Sequence, residues 1–206
     1  MSQVFFPVSL TREERNRMAK RYHFRKTDLS RIEVLYEEAL PLVQVQVCYM
    51  FQSQTVLCAV TLGEGFDRLQ ERYSQAQAVS DTYILECIGS MLLEKAYEQI
   101  AAEVLRETGQ FLCRMEFPGS DLPLAKMQEI LQNLAKEEGI LPVSCNEYCM
   151  LLPKKSVVFL GRLGKERAAG CICTNCPRKN CESRQADRKE KDAFRMPERG
   201  KERERV

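Results

Sequence analysis

Residues 43–51, VQVQVCYMF, and residues 55–62, TVLCAVTL, decide the fold. The first run begins as a strict alternation of apolar and polar side chains, the period that puts successive residues on opposite faces of a strand. The second is rich in β-branched residues, which suit a pleated surface. Only Gln52 to Gln54, a short polar connection, separates them. The pair therefore reads as a β-hairpin.

Downstream, GEGFDRL turns the chain into a helix over about residues 66–77. Ser80 or Asp81 then caps a longer helix. Its stripe of Ile84, Ile88, Leu92, Ala96, Ile100 and Val104 steps by four, with Leu85 and Met91 beside it. Such a wide apolar face marks the central core helix. Gly89-Ser90 in its interior disfavours the helix and calls for close approach of another element or of a ligand. Upstream, residues 1–9 read as a loose or strand-like lead-in. Thr11-x-x-Glu14 has the spacing of a capping box and starts a helix that ends near Tyr22. A second helix begins near Asp28 or Ser30, with Ile32, Leu35, Ala39 and Leu40 as its apolar face.

Residues 110–117, QFLCRMEF, read as a strand, and Pro118-Gly119-Ser120-Asp121 as a turn. Asp121 is placed to cap a following helix with Pro123 in its first turn; Gly139 stops it after about Lys136. Residues 140–153 are mixed and include a short strand, and Ser156 to Leu163 form the last one. The expected fold is α+β, a mostly antiparallel mixed sheet flanked by helices over residues 1–163. A Cys-rich loop over 164–184 and a charged tail over 185–206 follow. Residues 182–206 hold nine Lys or Arg and seven Asp or Glu. So few apolar side chains do not offset the entropy of ordering the segment, and it is expected to be disordered or a solvated helix held only by mixed charge.

A length of 206 residues suits one domain with tails. The net charge of +2 argues against nucleic-acid binding through the whole molecule. No apolar run approaches the roughly 20 residues that cross a bilayer, and MSQVFFPVSLTREER lacks the pattern of a secretory signal. A cytoplasmic protein with no membrane partner is expected. His23 is the only histidine, which counts against a Ser–His–Asp triad or a multi-His metal site.

The chain has ten cysteines. Cys48, Cys58, Cys87, Cys113, Cys145 and Cys149 are scattered through apolar segments and read as small buried hydrophobes. Cys171, Cys173, Cys176 and Cys181 instead crowd into one loop among Lys165, Arg167, Arg178, Lys179 and Arg184. Thiols at that density suit zinc or an iron–sulfur cluster, and basic neighbours favour the thiolate. The other reading is a reduced tail with unligated thiols.

The strand–turn–helix over residues 110–136 is the other place for chemistry. Backbone N–H groups at a helix start favour anions. Arg114, just before the turn, suits a carboxylate, and Glu116 and Asp121 suit an ammonium. That set fits an amino-acid-like ligand. The alternative is that Arg114 pairs with a neighbouring acid and Asp121 is simply a cap.

Four stretches, in order, resemble the activation domain of vitamin B12 (cobalamin)-dependent methionine synthase and its small free-standing relatives. They are Ala59 to Gly63 with Phe66 to Leu69, Asp81 to Glu94 (DTYILECIGSMLLE), Arg114 to Leu124 (RMEFPGSDLPL), and Asn146 to Val157. The C-terminal Cys173, Cys176, Cys181 and Arg184 are similar to the pattern that often ends the free-standing relatives. The resemblance covers about residues 45–185. It implies an accessory protein for reductive remethylation of cobalamin by S-adenosylmethionine, in a methionine synthase or related corrinoid methyltransferase. If the chain is an enzyme, it is a methyltransferase component of that type. Cobalamin would sit on the partner protein, and an electron-donor protein would take part. Arg114 would hold the methionine carboxylate, with Pro118, Gly119, Ser120 and Asp121 lining the site. The sequence departs from the family here: Pro-Gly is displaced by one position and the family's Tyr is missing. The second expectation is therefore an iron–sulfur or zinc module, redox or interaction, that keeps this fold and has lost S-adenosylmethionine.

Overall fold

A computed structural model describes residues 2–165. The two quoted runs form strands β2 (Val45–Gln52) and β3 (Thr55–Thr61). They pair antiparallel from Gln52↔Thr55 to Gln46↔Thr61. The link is the two-residue turn Ser53–Gln54, with Ser53 at φ 52°, the left-handed geometry that tight hairpins require. The lead-in becomes edge strand β1 (Ser2–Phe6) against β2. Strands β7 (Ser156–Gly164) and β4 (Phe111–Glu116) complete a sheet in the order β1-β2-β3-β7-β4. All neighbours in it are antiparallel, so the mixed sheet expected from sequence is not formed. A parallel contact occurs at the lone bridge Pro118↔Leu122, outside the strands.

The sheet is covered on both faces. Val47, Tyr49, Val56, Cys58, Val60 and Phe159 face the larger core with helices α1 (Arg12–Arg21), α2 (Leu29–Ala39), α3 (Glu64–Gln75) and α4 (Val79–Thr108). Leu57, Ala59 and Val158, offset by one residue, face a second core. That core is closed by Ile130, Leu131 and Leu134 of α5 (Lys126–Glu138) and by Val143. Beside it lies a small hairpin of β5 (Ser144–Cys145) and β6 (Leu151–Leu152).

Local signals place the helices. Thr11 and Glu14 form the capping box, with hydrogen bonds of 3.2 and 2.8 Å. The expected stripe on α4 is buried along its full length, and Gly109 at φ 66° ends the helix. Two capping expectations are corrected. Ser80 and Asp81 lie inside the first turn of α4, and Ala78 is the cap residue. The Asp81 carboxylate is taken by Arg31 through contacts of 2.9 and 2.7 Å. Likewise α5 starts at Lys126, well past Asp121. The Asp121 carboxylate accepts from its own turn instead, and Pro123 precedes the helix, accepting from Lys126 N–H at 3.0 Å. The scattered cysteines also divide: Cys48, Cys58 and Cys87 are buried as expected, but Cys113, Cys145 and Cys149 are only half-buried. No helix of the described residues is long and apolar enough to cross a membrane. The Cys171–Cys181 loop and the charged tail lie outside the described residues.

Gly89 is used for close packing. A Cβ there would stand 2.8 Å from the Phe66 ring and 2.7 Å from Lys155 Cε. Gly89→Ala is therefore expected to destabilise the fold. The overpacking cost of about 1–3 kcal/mol exceeds the roughly 1 kcal/mol that alanine contributes in a helix. Urea unfolding should show a lower midpoint; an unchanged or higher midpoint would contradict the packing role.

Candidate functional site

The site begins with the irregularity in β4. Leu112 pairs with Leu163, but Arg114 pairs with Arg162, so Cys113 is an extra, bulged residue. Leu112, Met115 and Phe117 all pack on the larger core. Arg114 and Glu116 emerge on the opposite face with Arg162. Phe117 is fixed against Tyr97 and Phe159, with ring centroids 6.4 and 5.9 Å away. The turn that follows thus hangs from a packed aromatic anchor.

The turn is closed by its own backbone. Ser120, Asp121 and Leu122 N–H groups donate to Phe117 O at 3.1, 2.9 and 3.2 Å, and Gly119 N–H donates to Leu122 O at 2.8 Å. Gly119 has φ 83°, which favours glycine. These donors point into the turn, and no helix starts there. The expected anion cradle of outward N–H groups is not formed. Pro118, Gly119, Ser120 and Asp121 do sit together beside Arg114, and Gly119 and Ser120 are exposed.

Side-chain charge remains. Asp121 accepts Phe117 N–H at 3.2 Å and lies 3.4 Å from Arg114 Nη2. Glu116 is 3.5 Å from Arg114 Nε but is held more tightly by Arg162, at 2.8 and 3.0 Å. Arg114 Nε is buried and has no hydrogen-bond partner. A guanidinium carries five donors, and strong charge-assisted bonds run to about 2.7–2.9 Å. Arg114 is thus held by long contacts between two carboxylates, with donor capacity to spare.

A second polar cluster joins the other family-like stretches. Lys155, immediately before β7, is buried. Its ammonium donates to Glu86 O and Ser90 Oγ, each at 3.1 Å, and pairs with the Glu86 carboxylate. Its backbone N–H donates to Asp67 at 3.1 Å, and its carbonyl accepts from Leu62 N–H at 3.0 Å. Residues from Ala59–Gly63, Phe66–Leu69, Asp81–Glu94 and Asn146–Val157 therefore meet around one lysine. A cleft of about 300 Å³, lined among others by Asp67, Glu71, Glu86 and Lys154, opens beside it. Residue-level reading missed this cluster. The signal was Lys155 immediately before an apolar strand, since a cation there needs acceptors.

Among the described residues, no group of three or more His, Cys, Asp or Glu is arranged to hold a metal ion. The candidate ligands Cys171, Cys173, Cys176 and Cys181 lie outside them. No protein-family model matches the chain, and a comparison with curated proteins finds no significant match.

Burial raises the pKa of Glu86, but the hydrogen bond and charge of Lys155 outweigh it and leave the carboxyl below its ordinary value. The folded-state pKa is depressed. The pair's stabilisation is therefore present above the ordinary Glu value of about 4.3 and is lost as pH falls through the depressed value. In Lys155→Met the lowering partner is gone while burial remains. NMR titration of the side-chain carboxyls should show Glu86 titrating higher in Lys155→Met than in the wild type. An unmoved Glu86 would mean that the ammonium does not set its charge.

Proposed function

We propose that this chain is an accessory protein for reductive, S-adenosylmethionine-dependent remethylation of cobalamin, held by a methionine synthase or related corrinoid methyltransferase. The observation that carries the reading is the incompletely bonded Arg114 between Asp121 and Glu116 at the edge of the sheet. A methionine-type zwitterion matches this set. Its carboxylate takes the loosely held Nη2 end of the Arg114 guanidinium. Its ammonium takes Asp121, which holds Arg114 less tightly than Arg162 holds Glu116. The resemblance of the ordered stretches supports the same assignment, and three of them converge at Lys155. S-adenosylmethionine supplies the methyl group and the partner's cobalamin receives it. This chain's own residues bind and orient the amino-acid end of the donor.

The test is calorimetric titration of the full chain with S-adenosylmethionine. Binding heat is expected from the wild type. Arg114→Ala should weaken binding by about tenfold or more, since a charged hydrogen bond contributes about 1.5–3 kcal/mol. Absence of heat from the wild type at millimolar ligand would overturn the reading.

One observation favours the second reading, a cluster- or zinc-binding redox or interaction module without S-adenosylmethionine. The turn's N–H groups are all spent internally, and the family's Tyr is missing from the turn, an aromatic contact that Ser120 cannot replace. In that reading Cys171, Cys173, Cys176 and Cys181 carry the chemistry. Anaerobically purified protein should then be brown, with visible absorption lost in Cys176→Ser, or colourless with one bound zinc. Colourless, metal-free protein would exclude it.

A further inference from the structure

We propose that the cleft between α1 and α4, with the basic stretch that borders it, docks an acidic segment of a partner protein. Residues 17–26, RMAKRYHFRK, hold five Lys or Arg and no Asp or Glu. The whole chain carries only +2, so outside this stretch acids outnumber bases. The positive field belongs to one face of the molecule.

The fold pins the stretch and leaves its charges outside. His23 N–H donates to Lys20 O at 3.3 Å and Phe24 N–H to Ala19 O at 2.8 Å. His23, at φ 59°, makes this reversal at the end of α1. Tyr22 and Phe24 pack on the larger core and meet Tyr83 of α4, with ring centroids 6.5 and 5.5 Å away. Arg17, Lys20, His23, Arg25 and Lys26 are exposed around these anchors. Among the described residues, Lys20 and Lys26 have no ion pair, and Arg17 has only a contact of 3.7 Å with Glu14. The dipole of α1 accounts for Lys20 and Arg21 in its last turn. It does not account for Arg17, Arg25 or Lys26.

Beside these cations lies a cleft of about 600 Å³, lined among others by Arg17, Met18, Lys20, Arg21, His23 and Met91. Its carboxylates are already spent. Glu94 is held by Arg21 at 2.8 and 3.0 Å, and Glu14 and Glu98 by Lys95 at 2.5 and 3.0 Å. The charge left over is positive, beside two thioethers that adapt to varied apolar side chains. These features specify the occupant. The exposed cations call for carboxylates, and the methionines call for an apolar side chain among them. An acidic protein segment supplies both. Single-stranded nucleic acid needs open aromatic platforms. Here Tyr22 and Phe24 are half-buried, edge-on or tilted against Tyr83, and Glu94 and Glu98 would repel a continuous phosphate chain. Arg114 emerges on the other face of the sheet, so docking here does not require its ligand.

The test is fluorescence anisotropy of the full chain with a labelled peptide of sequence EELEELEE. Saturable binding is expected, weakening as salt rises from about 0.01 to about 0.15 M. Lys20→Glu/Lys26→Glu should weaken it by about tenfold or more, because like charges are then set face to face. Lys126→Glu/Lys136→Glu, the same change of charge on α5 across the sheet, should leave it unchanged. Replacing the peptide's leucines with serine should also weaken binding to the unaltered chain, which needs no variant to fold. No saturable binding, equal loss in the two variants, indifference to the leucines, or tighter binding to a single-stranded oligouridylate of the same charge would each overturn the assignment.

Discussion

Burial of β3 on both faces is the constraint on which the rest of the structure depends. A strand with one wet face needs a single covering layer. β3 has apolar side chains on both, so the chain must supply helices on two sides of one sheet. Val56, Cys58 and Val60 commit one face to α1–α4; Leu57 and Ala59 commit the other to α5. β7, beside it, splits its side chains in the same way, with Phe159 on one side and Val158 on the other. The polar residues that carry chemistry are thereby driven to the rims. Arg114 and its acids occupy the free edge beyond β7. Lys155 and Asp67 occupy the end of the sheet where β7 enters.

The Lys155 cluster shows why so few residues position so much. A buried ammonium is costly unless it is paired and hydrogen-bonded. Satisfying it requires the Glu86 carbonyl, the Glu86 carboxylate and the Ser90 hydroxyl at once, all from one turn of α4. Its backbone simultaneously engages Asp67 of α3 and Leu62 at the end of β3. The missing side chain of Gly89 lets Phe66 and the lysine stem approach together. One cation thus sets the relative placement of two helices and two strands.

Much of this was legible in sequence because it is local. Period-two runs, the Thr11–Glu14 box, the step-of-four stripe on α4 and the stop at Gly139 each depend on near neighbours. What was not legible depends on residues far apart in sequence. Asp81 looked like a cap but is claimed by Arg31. Asp121 looked like a cap but is claimed by Arg114 and Phe117 N–H. Strict alternation in QFLCRMEF places Leu112, Arg114 and Glu116 on one face; the bulge at Cys113 separates the leucine from the two charges, and no local rule announces it.

The strand order has a consequence for how the molecule comes into being. β7 is the last strand of the described residues, yet it lies between β3 and β4. While the polypeptide is being synthesised from its amino end, the hairpin, α4 and β4 exist before the piece that joins them. Until residues 156–164 emerge, β3 offers an apolar, unpaired border to whatever is nearby. Completion of the sheet is a late insertion into a waiting slot, and the interval before it is when this chain is most exposed to mispairing with its own copies.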